Sequence, residues 1–203
     1  SPPKANTNEL PASASPRRRE LLGLLGVPYE IAPSLADETA TGDGAERVRA
    51  LAVQKCAEVA ARMPGRVVLA ADTLVCVDGD WLGKPRDAED AARMLGLLSG
   101  RAHEVHTGVC ILSPEGGAQT EVCTTAVHFR PLDPRTIRRY VATGEPMDKA
   151  GAYAMQGRAA AFVSRIEGSP TNVIGLPLEA VARMLERLGI DIFATNGEGE
   201  WAL

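Results

Sequence analysis

Val67-Val68-Leu69-Ala70-Ala71-Asp72-Thr73-Leu74-Val75-Cys76-Val77 is the stretch that decides the fold. Its first five residues are all apolar and leave no polar face, so they predict a strand covered on both sides. Asp72-Thr73 is expected to interrupt the strand, and Leu74 to Val77 to resume it. The interruption is chemically informative, because a carboxylate among apolar neighbours needs a partner or a metal. Ligands of open α/β sheets also gather beyond strand ends. The plainer reading of Asp72 is a strand-end carboxylate that caps a turn or pairs with an arginine.

The flanks of this run set the class. Upstream, residues 46–63 predict a long amphipathic helix with Val48, Leu51, Ala52, Cys56, Val59 and Ala60 on one face, stopped by Pro64-Gly65. Further upstream, Ser15 and Pro16 suit the start of a helix carrying Leu21, Leu22, Leu24 and Leu25, ended by Gly26. Residues 28–32 can form a short strand. Downstream, Asp78-Gly79-Asp80 is a turn, and residues 87–98 a helix capped by Asp87. Residues 103–112 and 119–130 predict two long strands joined at Glu115-Gly116-Gly117. A helix over 133–143 begins with Asp133 as cap and Pro134 at its first position. A strand over 160–166 and a helix over 177–188 complete the pattern. Helices and strands alternate while a hairpin adds antiparallel pairing, so the class is α/β with a mixed, twisted sheet flanked by helices.

The 203 residues are 45% hydrophobic and 24% charged, with a formal net charge of −4. That is ordinary for a globular domain, and the acidic balance argues against a protein that coats nucleic acid. Four widely spaced cysteines form no C-x-x-C pair and fit core thiols in a reducing cytoplasm better than disulfides or zinc. No apolar run approaches the roughly 20 residues of a membrane span. Residues 1–9 are polar and Pro-rich and read as a disordered or appended N-terminus rather than a signal peptide. Residues 10–190 read as one domain without internal repeats, and 191–203 as a flexible tail.

Several segments could carry chemistry. Ser13-Ala14-Ser15-Pro16-Arg17-Arg18-Arg19 leads into a helix N-terminus, which already carries partial positive charge. Three arginines oppose that charge unless an anion binds among them, the hydroxyls and the backbone amides. The alternative is a solvated basic face offset by Glu20. Lys55 borders the apolar face of its helix, where lysines usually snorkel to water. Lys84, between Gly83 and Pro85, suits a point-charge contact to phosphate. Gln156, before Gly157, offers a donor and an acceptor that could read a base edge. His103 and His106 lie three apart on a strand and so on opposite faces, a poor metal pair. P-loop, nucleophile-elbow and zincin motifs are absent.

Six of these stretches, in order, resemble the Maf family of nucleotide pyrophosphatases. They are 12–18, Ala71-Asp72-Thr73, 82–88, Leu98-Ser99-Gly100-Arg101 with Thr107-Gly108, 141–146 running into 148–157, and Gly175-Leu176-Pro177-Leu178. The resemblance implies an α/β fold with a central cleft, often a homodimer. It also implies hydrolysis of a nucleoside triphosphate to monophosphate and pyrophosphate with Mg²⁺, Mn²⁺ or Co²⁺. It places Asp72 as catalytic base. With that base, Lys55 and Lys84 are expected to neutralise charge on the leaving pyrophosphate, and Ser13, Arg17 and Arg18 to hold the triphosphate. Thr73 and Gln156 would help select a pyrimidine, and Glu38 would join Asp72 on the metal. Arg17, Thr73 and Gln156 together match the branch associated with dTTP and UTP, not the 7-methyl-GTP branch. A non-enzymatic nucleotide sensor in septum formation is the rival reading, and it would not need Asp72, Lys55 and Lys84 together. One departure stands out. Pro11 falls where the family carries an apolar strand, so the first strand is expected to be short or displaced.

Overall fold

The computed structural model describes residues 10–12, 15–36 and 40–193. Seven strands run in chain order: β1 (Leu10–Ala12), β2 (Tyr29–Ile31), β3 (Val68–Val77), β4 (Asp80–Leu82), β5 (Ala102–Leu112), β6 (Ala118–Phe129) and β7 (Val163–Glu167). The α-helices are α1 (Pro16–Leu24), α2 (Gly44–Arg62), α3 (Ala88–Leu98), α4 (Pro134–Ala142), α5 (Pro170–Ile174) and α6 (Leu178–Glu186). Parallel and antiparallel pairing are divided between two sheets. β1 and β2 form a parallel pair around α1, while β4-β3-β5-β6-β7 form a five-stranded antiparallel sheet. Pro11 pairs opposite Glu30 in a first strand of only three residues. A two-stranded sheet has an outer edge on each strand, where proline's missing N–H costs no ladder bond.

β3 corrects the expected interruption. Asp72 and Thr73 are ordinary strand residues, opposite Gly108 and Thr107 of β5. Ladder pairing is a backbone property, and an unbroken partner on β5 carries the strand through the polar pair. The other strand ends follow turn chemistry. Asp78 (φ 51°) and Gly79 (φ 79°) make a two-residue turn of the left-handed kind that suits the twist of a hairpin. Asp43, Asp87 and Asp133 accept backbone N–H bonds from Glu46, Asp90 and Thr136 and so fix the starts of α2, α3 and α4. α2 thus begins two residues before the expected 46. Ser15 precedes α1 in extended conformation, but its side chain makes no cap bond. Residues 158–162, partly expected as strand, wind as a 3-10 turn before β7.

Strand alternation divides the core. On one face of the large sheet, Val68, Ala70 and Cys110 pack against Ala52, Cys56 and Val59 of α2. On the other face are two separate clusters. Leu69, Ala71, Val109 and Ile111 meet Leu21 and Leu22 of α1 and Val181, Met184 and Leu185 of α6. Val75, Val77, Val105, Val127 and Phe129 meet α3, α4 and Tyr153. Between these clusters, on the same face, stand Thr73 and Thr107, whose hydroxyl oxygens lie 2.8 Å apart. A polar pair therefore marks the seam between two apolar lobes. Of the expected apolar face of α1, Leu21 and Leu22 are buried while Leu24 is 74% exposed. Cys56 and Cys110 are core thiols, and all four cysteines are free. Among the described residues no helix is long and apolar enough to cross a membrane.

Candidate active site

A cleft of about 840 Å³ opens at this seam. β4 pairs with β3 only from Val75 to Val77, so the β3 edge near Asp72 is not covered by β4. Consecutive side chains of β3 then serve opposite faces. Asp72 turns to α2, where Lys55 Nζ lies 2.5 Å from its Oδ1. Both side chains are mostly buried, at 13% and 18% exposure. Thr73 turns to α1, where its hydroxyl accepts a bond from Arg18 Nη2 at 3.0 Å. Arg18 Nε also donates to the Gly175 carbonyl at 2.8 Å, at the C-terminal end of α5. Arg18 is thus partly spent on tying α1 to the sheet and to α5.

The cleft walls bring together Arg17, Arg18, Lys55, Asp72, Thr73, Lys84 and Gln156. Ser13 and Glu38 lie outside the described residues. Arg19 does not line the cleft. The rigid turn that carries Lys84 is held from below, since Gly151 donates its N–H to the Gly83 carbonyl at 3.1 Å. Gly151 has φ 72°, and a Cβ there would meet Val75 at 2.9–3.1 Å, so glycine is needed twice over. The segment after it carries Gln156. Its anchor is Glu145, whose Oε1 accepts the Arg158 N–H at 3.0 Å and lies within 2.3 Å of where a Cβ on Gly157 would stand. Burial pushes the Glu145 carboxyl up, but the Tyr140 hydroxyl and the N–H groups of Arg158 and Ala159 outweigh it and hold it below its ordinary value.

Arg47 and Trp81 line the cleft although they fall in no candidate segment, and Asp148 and Lys149 line it from the candidate stretch 148–157, where no role fell to them. Arg47 was legible in principle, because 47, 51 and 55 fall on one helical stripe. Asp148 and Lys149 form a 2.6 Å pair. The Lys149 ammonium holds the Asp148 carboxyl below its usual range, with a smaller contribution from the charge of Arg17.

Tyr153 links the cleft to the core. Its hydroxyl lies 2.7 Å from Nε2 of His103, which is 2% exposed. Burial pushes the His103 imidazole down to about 4, helped by the charge of His128. The folded protein therefore keeps His103 neutral while the unfolded chain takes up a proton near its ordinary pKa of about 6.5. This stabilisation is full above pH 6.5 and is lost as pH falls toward 4, by up to about 3 kcal/mol. Urea unfolding between pH 7 and 5 should show that decline in wild type and a flatter profile in His103→Gln. Equal slopes would exclude His103 as its source.

Among the described residues no three His, Cys, Asp or Glu side chains converge as a metal cage. The donor set still fits a hard divalent cation. Such ions are often held by one or two carboxylates, with substrate phosphates and water completing the shell. Asp72 and Asp148 are the two carboxylates of the cleft wall.

A mixed α/β fold with a cationic, carboxylate-bearing cleft at a strand edge is the class of a phosphate-ester or anhydride site. The match to the family model "Maf-like protein" runs over residues 11–188. The chain belongs to the Maf family. A relative from Anaeromyxobacter sp., named dTTP/UTP pyrophosphatase, is 54% identical over 182 residues, spanning 88% of each chain. One of the same name from Moorella thermoacetica is 52% identical over 185 residues, spanning 90% of this chain and 95% of that protein. Among solved structures, the Staphylococcus aureus Ham1 protein superposes with a TM-score of 0.52 over 88% of this chain and 98% of that one, at 14% identity. That likeness is one of fold.

Proposed function

We propose that the protein hydrolyses dTTP and UTP between the α- and β-phosphates, giving the nucleoside monophosphate and pyrophosphate. The observation that carries this reading is the Asp72–Lys55 pair, 2.5 Å apart, on the wall of a cleft with five further cations and one further carboxylate. Two relatives more than half identical over most of the chain bear names that state this activity.

Asp72 is the base. Its carboxylate orients a water molecule and accepts its proton as the water oxygen bonds to the α-phosphorus and the bond to the bridging oxygen breaks. Lys55 fixes the carboxylate's rotamer. A divalent cation held by Asp72, with Glu38 as second ligand, would neutralise phosphate charge and polarise the breaking bond. Lys84 faces the charge that grows on the leaving pyrophosphate. Arg17 and Arg18, with Ser13, hold the triphosphate. Gln156 reads the pyrimidine edge. Thr73 acts on the substrate through Arg18, because its hydroxyl is already engaged by Arg18 and Thr107.

The identity of the ion as Mg²⁺, Mn²⁺ or Co²⁺, a cytoplasmic location and a homodimer belong to the same reading, with no nucleic-acid or membrane partner. The four free cysteines support a reducing compartment. The test is to incubate purified protein with dTTP, UTP, dCTP, 7-methyl-GTP and each ion, and to identify the products. Pyrophosphate with dTMP or UMP is expected. Orthophosphate as the first product would refute the bond assignment, and preferred turnover of 7-methyl-GTP would move the protein to the other branch.

A further inference from the structure

Of the cleft cations without a part in the proposed mechanism, Lys149 is paired with Asp148 and Arg47 is not. It sits in the first turn of α2, eight residues before Lys55, with Leu51 between them on the same stripe, and all three line the cleft. At 1.5 Å per residue the two cations stand about 12 Å apart along the helix axis. Its guanidinium lies over the Trp81 indole, 3.8 Å from the ring centroid. Stacking of this kind leaves the N–H donors pointing outward in the guanidinium plane.

Those donors have no acceptor among the described residues. Three arginines elsewhere show the usual alternative, a carboxylate partner: Arg62 with Glu58, Arg93 with Asp90, and Arg183 with Glu121. Arg47 makes no such pair, and its Nε is buried without a hydrogen-bond partner. The two carboxylates of the cleft wall are engaged by other cations, Asp72 by Lys55 and Asp148 by Lys149. An arginine held rigid by a tryptophan, unpaired, in a cleft of excess positive charge is built for an anion. Trp81 in β4 also stands three residues before Lys84, so the stack and Lys84 share one wall.

We infer that Arg47 is a substrate-binding residue that grips the terminal two phosphates of the nucleotide, and that Trp81 is the positioning residue that holds it flat. This rests on the proposed pyrophosphatase reaction, which puts those phosphates on the Lys84 side of Asp72. The pair would favour triphosphates over shorter nucleotides and would release its grip only as pyrophosphate leaves.

The experiment compares Arg47→Ala, Arg47→Lys, Trp81→Ala and Trp81→Phe with wild type. It measures KM and kcat for dTTP and the inhibition constants of inorganic pyrophosphate and dTMP. Arg47→Ala should raise KM and the pyrophosphate constant about tenfold or more, the loss expected for a hydrogen bond to a charged group. The dTMP constant should move less than about twofold. Trp81→Ala should act in the same direction, with rescue by Trp81→Phe, which keeps a ring face. Arg47→Lys should recover part of the loss, because it restores charge without the plane. A merely structural role would shift both inhibitors together, and that outcome, or no shift at all, overturns the inference. Direct titration of pyrophosphate by calorimetry into wild type and Arg47→Ala separates the two layers. If wild type does not cleave dTTP or UTP, the reaction fails, yet a loss of pyrophosphate binding in the variant still supports the anion contact. Equal pyrophosphate binding in both proteins refutes the contact whatever the reaction proves to be.

Discussion

Asp72→Asn is expected to lower kcat for dTTP by about 10³-fold or more while the protein stays folded. The exchange is nearly isosteric. An asparagine still offers a carbonyl oxygen to Lys55, which now sits 2.5 Å from Oδ1, so the link between α2 and β3 can persist as a neutral hydrogen bond. What disappears is the negative charge and the basic oxygen. The amide cannot accept a proton from water, and it is a poor ligand for a hard divalent ion. Stability should fall modestly, by about 1–3 kcal/mol, because Lys55 loses its counter-charge but is 18% exposed and can swing toward solvent. The two readouts must therefore be taken together: initial rates of pyrophosphate release with saturating dTTP and Mg²⁺, and thermal unfolding of the same preparation. A purely architectural Asp72 would lower the rate only in proportion to the unfolded fraction. Retention of more than about a tenth of wild-type turnover in a folded variant would remove Asp72 as base, since general bases contribute about 10²–10⁴-fold.

The position of Asp72 also shows what a sequence can and cannot disclose. Val67 to Ala71 pointed to a buried strand, because a short apolar run flanked by Pro64-Gly65 and rich in valine suits a strand covered on both faces. The Asp caps at 87 and 133 and the long hairpin over β5 and β6 were equally legible, as local chemistry fixes them. Asp72-Thr73 was misjudged as a break, because side-chain polarity says nothing of a backbone whose partner strand runs on. The seam is a tertiary fact. Nothing near Thr73 reveals that Thr107 will stand opposite it, or that the residues to either side will join different cores. The segment from 145 to 162 was hard to read for another reason. It is built from three short 3-10 turns, and its small residues give neither a 2-residue nor a 3.6-residue period. The seven described candidate residues do line one cleft; Arg47 shares the helical stripe of Lys55, but its stacking on Trp81 is a tertiary contact that no motif carries.

Gly108→Ala is expected to cost about 3 kcal/mol or more and to weaken the site at the same time. Gly108 lies in β5 opposite Asp72, on the face that α2 covers. A Cβ on it would stand 2.2 Å from the Val48 carbonyl oxygen, 2.5 Å from its carbon and 2.8 Å from the Arg49 nitrogen. These are backbone atoms of a 19-residue helix, so no rotamer change relieves the overlap. The helix must move away, and it carries both Arg47 and Lys55. The buried contacts of Val48, Ala52 and Cys56 loosen with it, each at 0% exposure now. For a chain of this size the melting temperature should drop by roughly 6–12 °C. Turnover of the folded fraction should fall too, because Lys55 no longer meets Asp72 at its present distance. Gly96→Ala supplies the contrast. It lies in α3 with no atom within 4 Å of an added Cβ, so the same chemical change should stabilise by about 1 kcal/mol through helix propensity. Parallel melts of the three proteins test the point. If Gly108→Ala melts within about 2 °C of wild type, a shift worth less than about 1 kcal/mol, close seating of α2 on β5 is not what delivers Lys55 to Asp72. A variant that is folded and cooler-melting, with dTTP turnover reduced beyond its unfolded fraction, would instead tie the site to one missing side chain: the absent Cβ lets α2 come close enough for its cations to reach the carboxylate on β3.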